Sequence, residues 1–174
     1  SRAEKVREDL DRIEEDLRRV HREVLKEVER ILKELHDTSK RVRDEVEKIV
    51  RDLRRAGIPK DLLKRAEDLI KEIKDKLDRL NERAEEIFRD IRRYIEENEE
   101  RSKRLVDEVR KRVDDGDDRE KVLEDARKLV RESKENIRRV LEDLKRIVKK
   151  LKEDHKRILD ELKKLVDKIK EDAR

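Results

Sequence analysis

Few side chains in this sequence could do chemistry. There are three histidines, His21, His36 and His155, and no cysteine. Imidazole is a common metal ligand and the commonest general base of proteins. His21 and His155 also stand where a helical stripe would carry an apolar residue. They share that property with Thr38, Ser39, Asn81, Asn98, Ser102 and Ser133. The stretch ILKELHDTSKRVRDEV, residues 31–46, shows the pattern. Ile31, Leu35, Val42 and Val46 keep helical spacing, and Thr38 and Ser39 fill the place between them.

Three chemistries could use such residues. A zinc site needs three or four nitrogen, sulfur or carboxylate ligands, and one imidazole among neutral amides and hydroxyls is a poor substitute. His21 and His155 lie in layers about 18 residues apart, near 27 Å at 1.5 Å per residue, too far to share an ion. His36 falls on the same helical position as Arg18 and Arg54, which reads as surface. A Ser–His–Asp site needs a cleft and an oxyanion hole, which a packed bundle of helices does not offer. Hydrogen bonding between helices is the chemistry that remains. The expectation is no enzyme activity, no metal and no cofactor, with the polar residues structural.

The elements that must hold these residues are long helices. Charged residues make up 60% of the 174, with 54 basic and 50 acidic. Their signs alternate at helical spacings, which favours i,i+4 pairs, and the apolar residues between them are nearly all Leu, Ile, Val and Ala. Breakers occur in two places. In RRAGIPKDLL, Gly57 can end one helix, Pro59 cannot continue it, and Asp61 can cap the next. In RVDDGDDREK, Gly116 is the stop and Asp117 or Asp118 the cap. The reading is all-α: an up-down-up antiparallel three-helix bundle of helices at about 2–55, 60–113 and 118–173, forming a single elongated domain over 1–174.

The core pattern recurs every 18 residues, as in Val6, Val24, Val42; Leu17, Leu35, Leu53; Leu69, Ile87, Leu105; and Val130, Val148, Val166. Eighteen residues fill five turns at 3.6 per turn, so the helices are expected to be nearly straight. Folding the chain at its two turns pairs residue numbers summing to about 116 and about 232. His21 then falls level with about residue 95, close to Asn98 and within two turns of Ser102, and near Ser133 and Asn136 on the third helix. Ser39, beside Thr38, falls level with about residue 77, within about one turn of Asn81, and with His155 on the third helix. Two polar layers result, each fed by all three helices. Asn81 and His155 are the expected partners in the second.

The near-equal helices, the GIPKD and DDGDD turns, the layer repeat, the Glu/Lys/Arg/Asp surface and the near absence of Phe, Trp, Met and Cys resemble a de novo designed helical bundle. The resemblance covers the whole chain and implies no functional residues. What it implies is a structural scaffold whose buried polar layers specify register. The other reading is a designed interaction component, an oligomer, heteromer or binder that associates through helix faces. No partner is required, and a monomer is expected. No basic patch with interleaved aromatics points to nucleic acid. No apolar run reaches membrane-span length, and no signal-peptide pattern is present. A chain opening on Ser1 without any Met suggests a processed recombinant product in soluble form.

Overall fold

The computed structural model describes residues 2–174. They form three long helices, α1 (Arg2–Arg55), α2 (Lys60–Asp114) and α3 (Arg119–Asp172), packed against one another as an all-α three-helix bundle. Their ends lie within a residue of those expected from the sequence. No Gly or Pro interrupts a helix, and pairs such as Glu14–Arg18 and Glu135–Arg139 run along the outer faces.

The two turns stop the chain in different ways. Gly57 and Gly116 both take positive φ, 67° and 83°. At Gly116 the backbone closes a Schellman motif: Asp117 N–H donates to Arg112 O at 3.1 Å and Gly116 N–H to Val113 O at 3.2 Å. Asp118 caps α3, its Oδ1 accepting the Glu120 N–H at 3.1 Å. Asp61 does not cap α2. The Pro59 carbonyl accepts the Leu63 N–H at 2.9 Å, which places Asp61 inside the first turn. There its charge meets the positive end of the helix dipole.

Contacts divide the chain into two compact units, Ser1–Arg30 with Phe88–Lys145, and Ile31–Ile87 with Arg146–Arg174. In the first, Val6, Leu10, Val109, Val113, Val122 and Ala126 form one cluster, and Leu17, Val106 and Val130 a second. In the other, Val42, Val46, Val50 and Leu53 of α1 pack on Ala66, Ile70, Ile73 and Leu77 of α2 and on Leu159, Leu162 and Val166 of α3.

Ion pairs mark the register within each unit. In the first, Arg7–Asp114, Asp11–Arg110 and Glu29–Arg92 link α1 to α2, with residue numbers summing to 121. In the second, His36–Glu85, Arg43–Asp78, Glu47–Lys74 and Arg54–Glu67 give the same sum. These helices are therefore antiparallel. The α1–α3 pairs keep a constant offset of 118 instead: Asp16–Lys134 in one unit, Glu34–Lys152 and Glu45–Lys163 in the other. A constant offset means that α1 and α3 run parallel. The α1–α2 sum exceeds the expected 116 because residues 56–59 carry the chain past the end of α1 before α2 begins. Ile58 folds back onto the core there.

Candidate functional site: two buried polar layers

The first layer lies wholly within the first unit. His21 is fully buried, and Asn98, Ser102 and Ser133 are nearly so. His21 Nδ1 lies 2.7 Å from the Leu17 carbonyl one turn back. A carbonyl only accepts, so Nδ1 carries the proton and Nε2 presents a lone pair. Asn98 Nδ2 fills that lone pair at 2.9 Å and also donates to Ser133 Oγ at 3.0 Å. The Ser102 hydroxyl donates to the Asn98 backbone carbonyl at 2.7 Å. With that proton committed, the 2.7 Å contact between the two serines requires Ser133 to donate to Ser102. Every bond has a direction, and α1, α2 and α3 each contribute. Asn136 does not join: it is half-buried, and its side chain makes no hydrogen bond in the layer.

The second layer lies wholly within the other unit and is built differently. His155 is fully buried, and its Nδ1 meets the Leu151 carbonyl at 2.7 Å, as His21 meets Leu17. Its Nε2 has no hydrogen-bond partner. The expected Asn81–His155 bond is not made. Asn81 pairs with Ser39 instead, Oγ to Oδ1 at 2.9 Å. The register explains this. A sum of 121 sets Ser39 level with residue 82, almost opposite Asn81. Thr38 also leaves the layer. Its hydroxyl donates to the Glu34 carbonyl at 3.0 Å, the usual resort of a threonine inside a helix.

One contributor escaped the sequence reading. With its amide turned, the Asn81 oxygen accepts from Arg43 Nη2 at 2.5 Å, from Arg43 Nε at 3.3 Å and from Ser39 Oγ at 3.1 Å, while its nitrogen lies 2.9 Å from the same Ser39 oxygen. Arg43 reads as surface in the sequence, and it does hold a surface ion pair with Asp78 at 2.7 Å. The 18-residue repeat could have flagged the ladder to which that pair belongs. Asp11, Glu29 and Glu47 are 18 apart, and each meets a base on α2.

Apart from Arg43, the charged groups described below flank the layers. Lys134 hydrogen-bonds Asp16 at 2.8 Å and, against the opposing effect of partial burial, holds its carboxyl below the ordinary range. Partial burial works against the Arg110 charge, but Glu14 and Asp11 outweigh it and raise that guanidinium above its usual value. His36 is exposed, its Nε2 2.6 Å from Glu85. Among the described residues, no three His, Asp or Glu side chains stand close enough to share a metal ion. No helix of the described residues is long and apolar enough to cross a membrane.

These features define a class: a three-helix bundle with directed hydrogen bonds buried between its helices. No protein-family model matches the chain, nor does any curated protein or any solved structure.

Proposed function

We propose that the chain is a de novo designed scaffold, monomeric and without catalytic activity, whose buried polar layers fix the register of its helices. The observation that carries this reading is the 18-residue recurrence of core and ion pairs together. Leu10, Val28 and Val46 are all buried, as are Leu17, Leu35 and Leu53. Asp11–Arg110, Glu29–Arg92 and Glu47–Lys74 repeat at the same interval. A helix displaced by 18 residues would find apolar partners and opposite charges again. It would not find the polar partners again, because the slots of Asn98, Ser102 and Ser133 are otherwise filled by Leu80, Ala84 and Leu151. Stranding a buried amide or hydroxyl costs about 1–3 kcal/mol, so the layers penalise a slip that the rest of the sequence tolerates.

Association through exposed helix faces has less support. Tyr94, at 39%, is the one large hydrophobic side chain exposed among the described residues.

The test is a variant that takes the residues of the repeat: Asn81→Leu, Asn98→Leu, Ser102→Ala, Ser133→Leu and His155→Ile, with His21→Leu and Ser39→Ala. Light scattering should show one mass for the parent and a concentration-dependent mixture for the variant, at undiminished helicity. A variant with the single mass and sharp methyl spectrum of the parent would sink the register reading.

A further inference from the structure

We infer that the first polar layer is a proton switch: His21 takes up a proton at Nε2 in the folded chain, and the Asn98 amide turns over to receive it. The inference rests on that layer being structural and adds a second state to it. Whichever way the amide is turned, one of its polar atoms stands between His21 and Ser133. With the nitrogen inward, it donates to His21 Nε2 at 2.9 Å and to Ser133 Oγ at 3.0 Å. With the oxygen inward, the same place accepts from both. The first state suits a neutral imidazole, whose Nε2 is a lone pair. The second suits an imidazolium, which donates from both nitrogens. Nδ1 keeps the Leu17 carbonyl in either state.

The serines can follow. Ser133 turns its proton from Ser102 to the Asn98 oxygen. Ser102 turns its own from the Asn98 backbone carbonyl to Ser133, across the same 2.7 Å contact. The displaced amide nitrogen is not stranded. Among the described residues, the buried side-chain atoms without a partner are Arg92 Nε and His155 Nε2. Asn98 Oδ1 makes no bond in the layer and is not one of them, so its place touches solvent, where the nitrogen can donate to water. Beside the layer, α1 and α2 enclose a groove of about 320 Å³. In it Glu96, Glu99 and Glu100 stand with one lysine, Lys103, while Glu14 is held by Arg18 and Arg110. On α3 the level of His21 carries Arg138 and the pair Glu135–Arg139. The surplus of carboxylates lies on the side from which Asn98 reaches Nε2, and it favours a cation there. The second layer has no such device. His155 holds the Leu151 carbonyl in the same way, but no amide bonds its Nε2, so a proton there would be a buried donor without an acceptor.

The experiment is nitrogen-15 NMR of the full chain from about pH 8 to about pH 5, which spans the ordinary imidazole range. It reads the His21 ring nitrogens, the coupling across the hydrogen bond from Asn98 Nδ2 to His21 Nε2, and the methyl spectrum as the measure of folding. At the upper pH, Nε2 should be pyridine-type and the coupling present. On acidification Nε2 should move to the imidazolium position and the coupling vanish in the same step. The methyl spectrum should persist, and His155 Nε2 should stay pyridine-type. Asn98→Asp, whose carboxylate only accepts, should hold His21 as the imidazolium at the upper pH. Asn98→Leu offers neither state and should show no imidazolium at His21 while folded. A His21 that stays pyridine-type until the methyl spectrum collapses overturns the inference. An imidazolium that forms in folded Asn98→Leu as it does in the parent, or at His155 in the folded parent, overturns the part given to the amide. These readouts do not depend on the oligomeric state, so they stand or fall apart from the register test.

Discussion

Two histidines with the same spacing to a backbone carbonyl do unequal work. His21 accepts from Asn98 in a layer where each bond fixes the next. Replacing it with leucine leaves a buried amide proton without an acceptor, for an expected loss of about 1–3 kcal/mol. His155→Leu removes a ring whose Nε2 makes no hydrogen bond in the layer. No bond between helices is broken, and Ser39 keeps its bond to Asn81, so the expected loss is below about 1 kcal/mol. Urea midpoints of the two variants should therefore separate, with His21→Leu the lower. A further test concerns charge. Because Lys134 holds the Asp16 carboxyl low, the pair's stabilisation is complete above the unfolded carboxylate range, near pH 4. It is lost as pH falls through the lower folded value. Parent and Asp16→Asn should differ by under about 1 kcal/mol at pH 7, since the pair is about a third exposed, and the difference should shrink as pH falls through the folded value.

At the scale of elements, the helices were legible because the sequence breaks them only twice. Both breaking glycines adopt the left-handed backbone that such a stop needs. Nothing lies within 4 Å of where a Cβ would stand on Gly57 or Gly116, so alanine there meets no clash. The expected penalty is the backbone term alone, about 1–2 kcal/mol each, readable as a lower melting temperature at unchanged helicity. The cap of α2 was misread because Asp61 follows Pro59 so closely that the proline carbonyl reaches the first free N–H before it. The membership of the polar layers was legible in outline and the bonds inside them were not. Periodicity gives a face and a level, whereas a hydrogen bond depends on how far residues 56–59 carry the chain before it turns. A few residues of extra sum moved Asn81 from His155 to Ser39. Thr38 and Asn136 sat at the right level but at the edge of the stripe, where the helix's own carbonyls or solvent compete for a polar group.

For the whole molecule, the charge pattern along α1 and α3 reaches beyond stability. Asp16, Glu34 and Glu45 of α1 give the carboxylates, and Lys134, Lys152 and Lys163 of α3 give the ammonium groups. Between α1 and α2 the signs are mixed, with Arg7 and Arg43 facing Asp114 and Asp78 while Asp11 and Glu29 face Arg110 and Arg92. Cut at its two glycines, the chain would become three peptides, each carrying an address. Two copies of α3 aligned in parallel would bring lysine against lysine along the edge that meets α1. Two copies of α1 would crowd carboxylates in the same way. An equimolar mixture should therefore sort itself into complexes holding one of each, visible by native mass spectrometry. The covalent turns would then be conveniences of synthesis rather than the source of the order in which the helices meet.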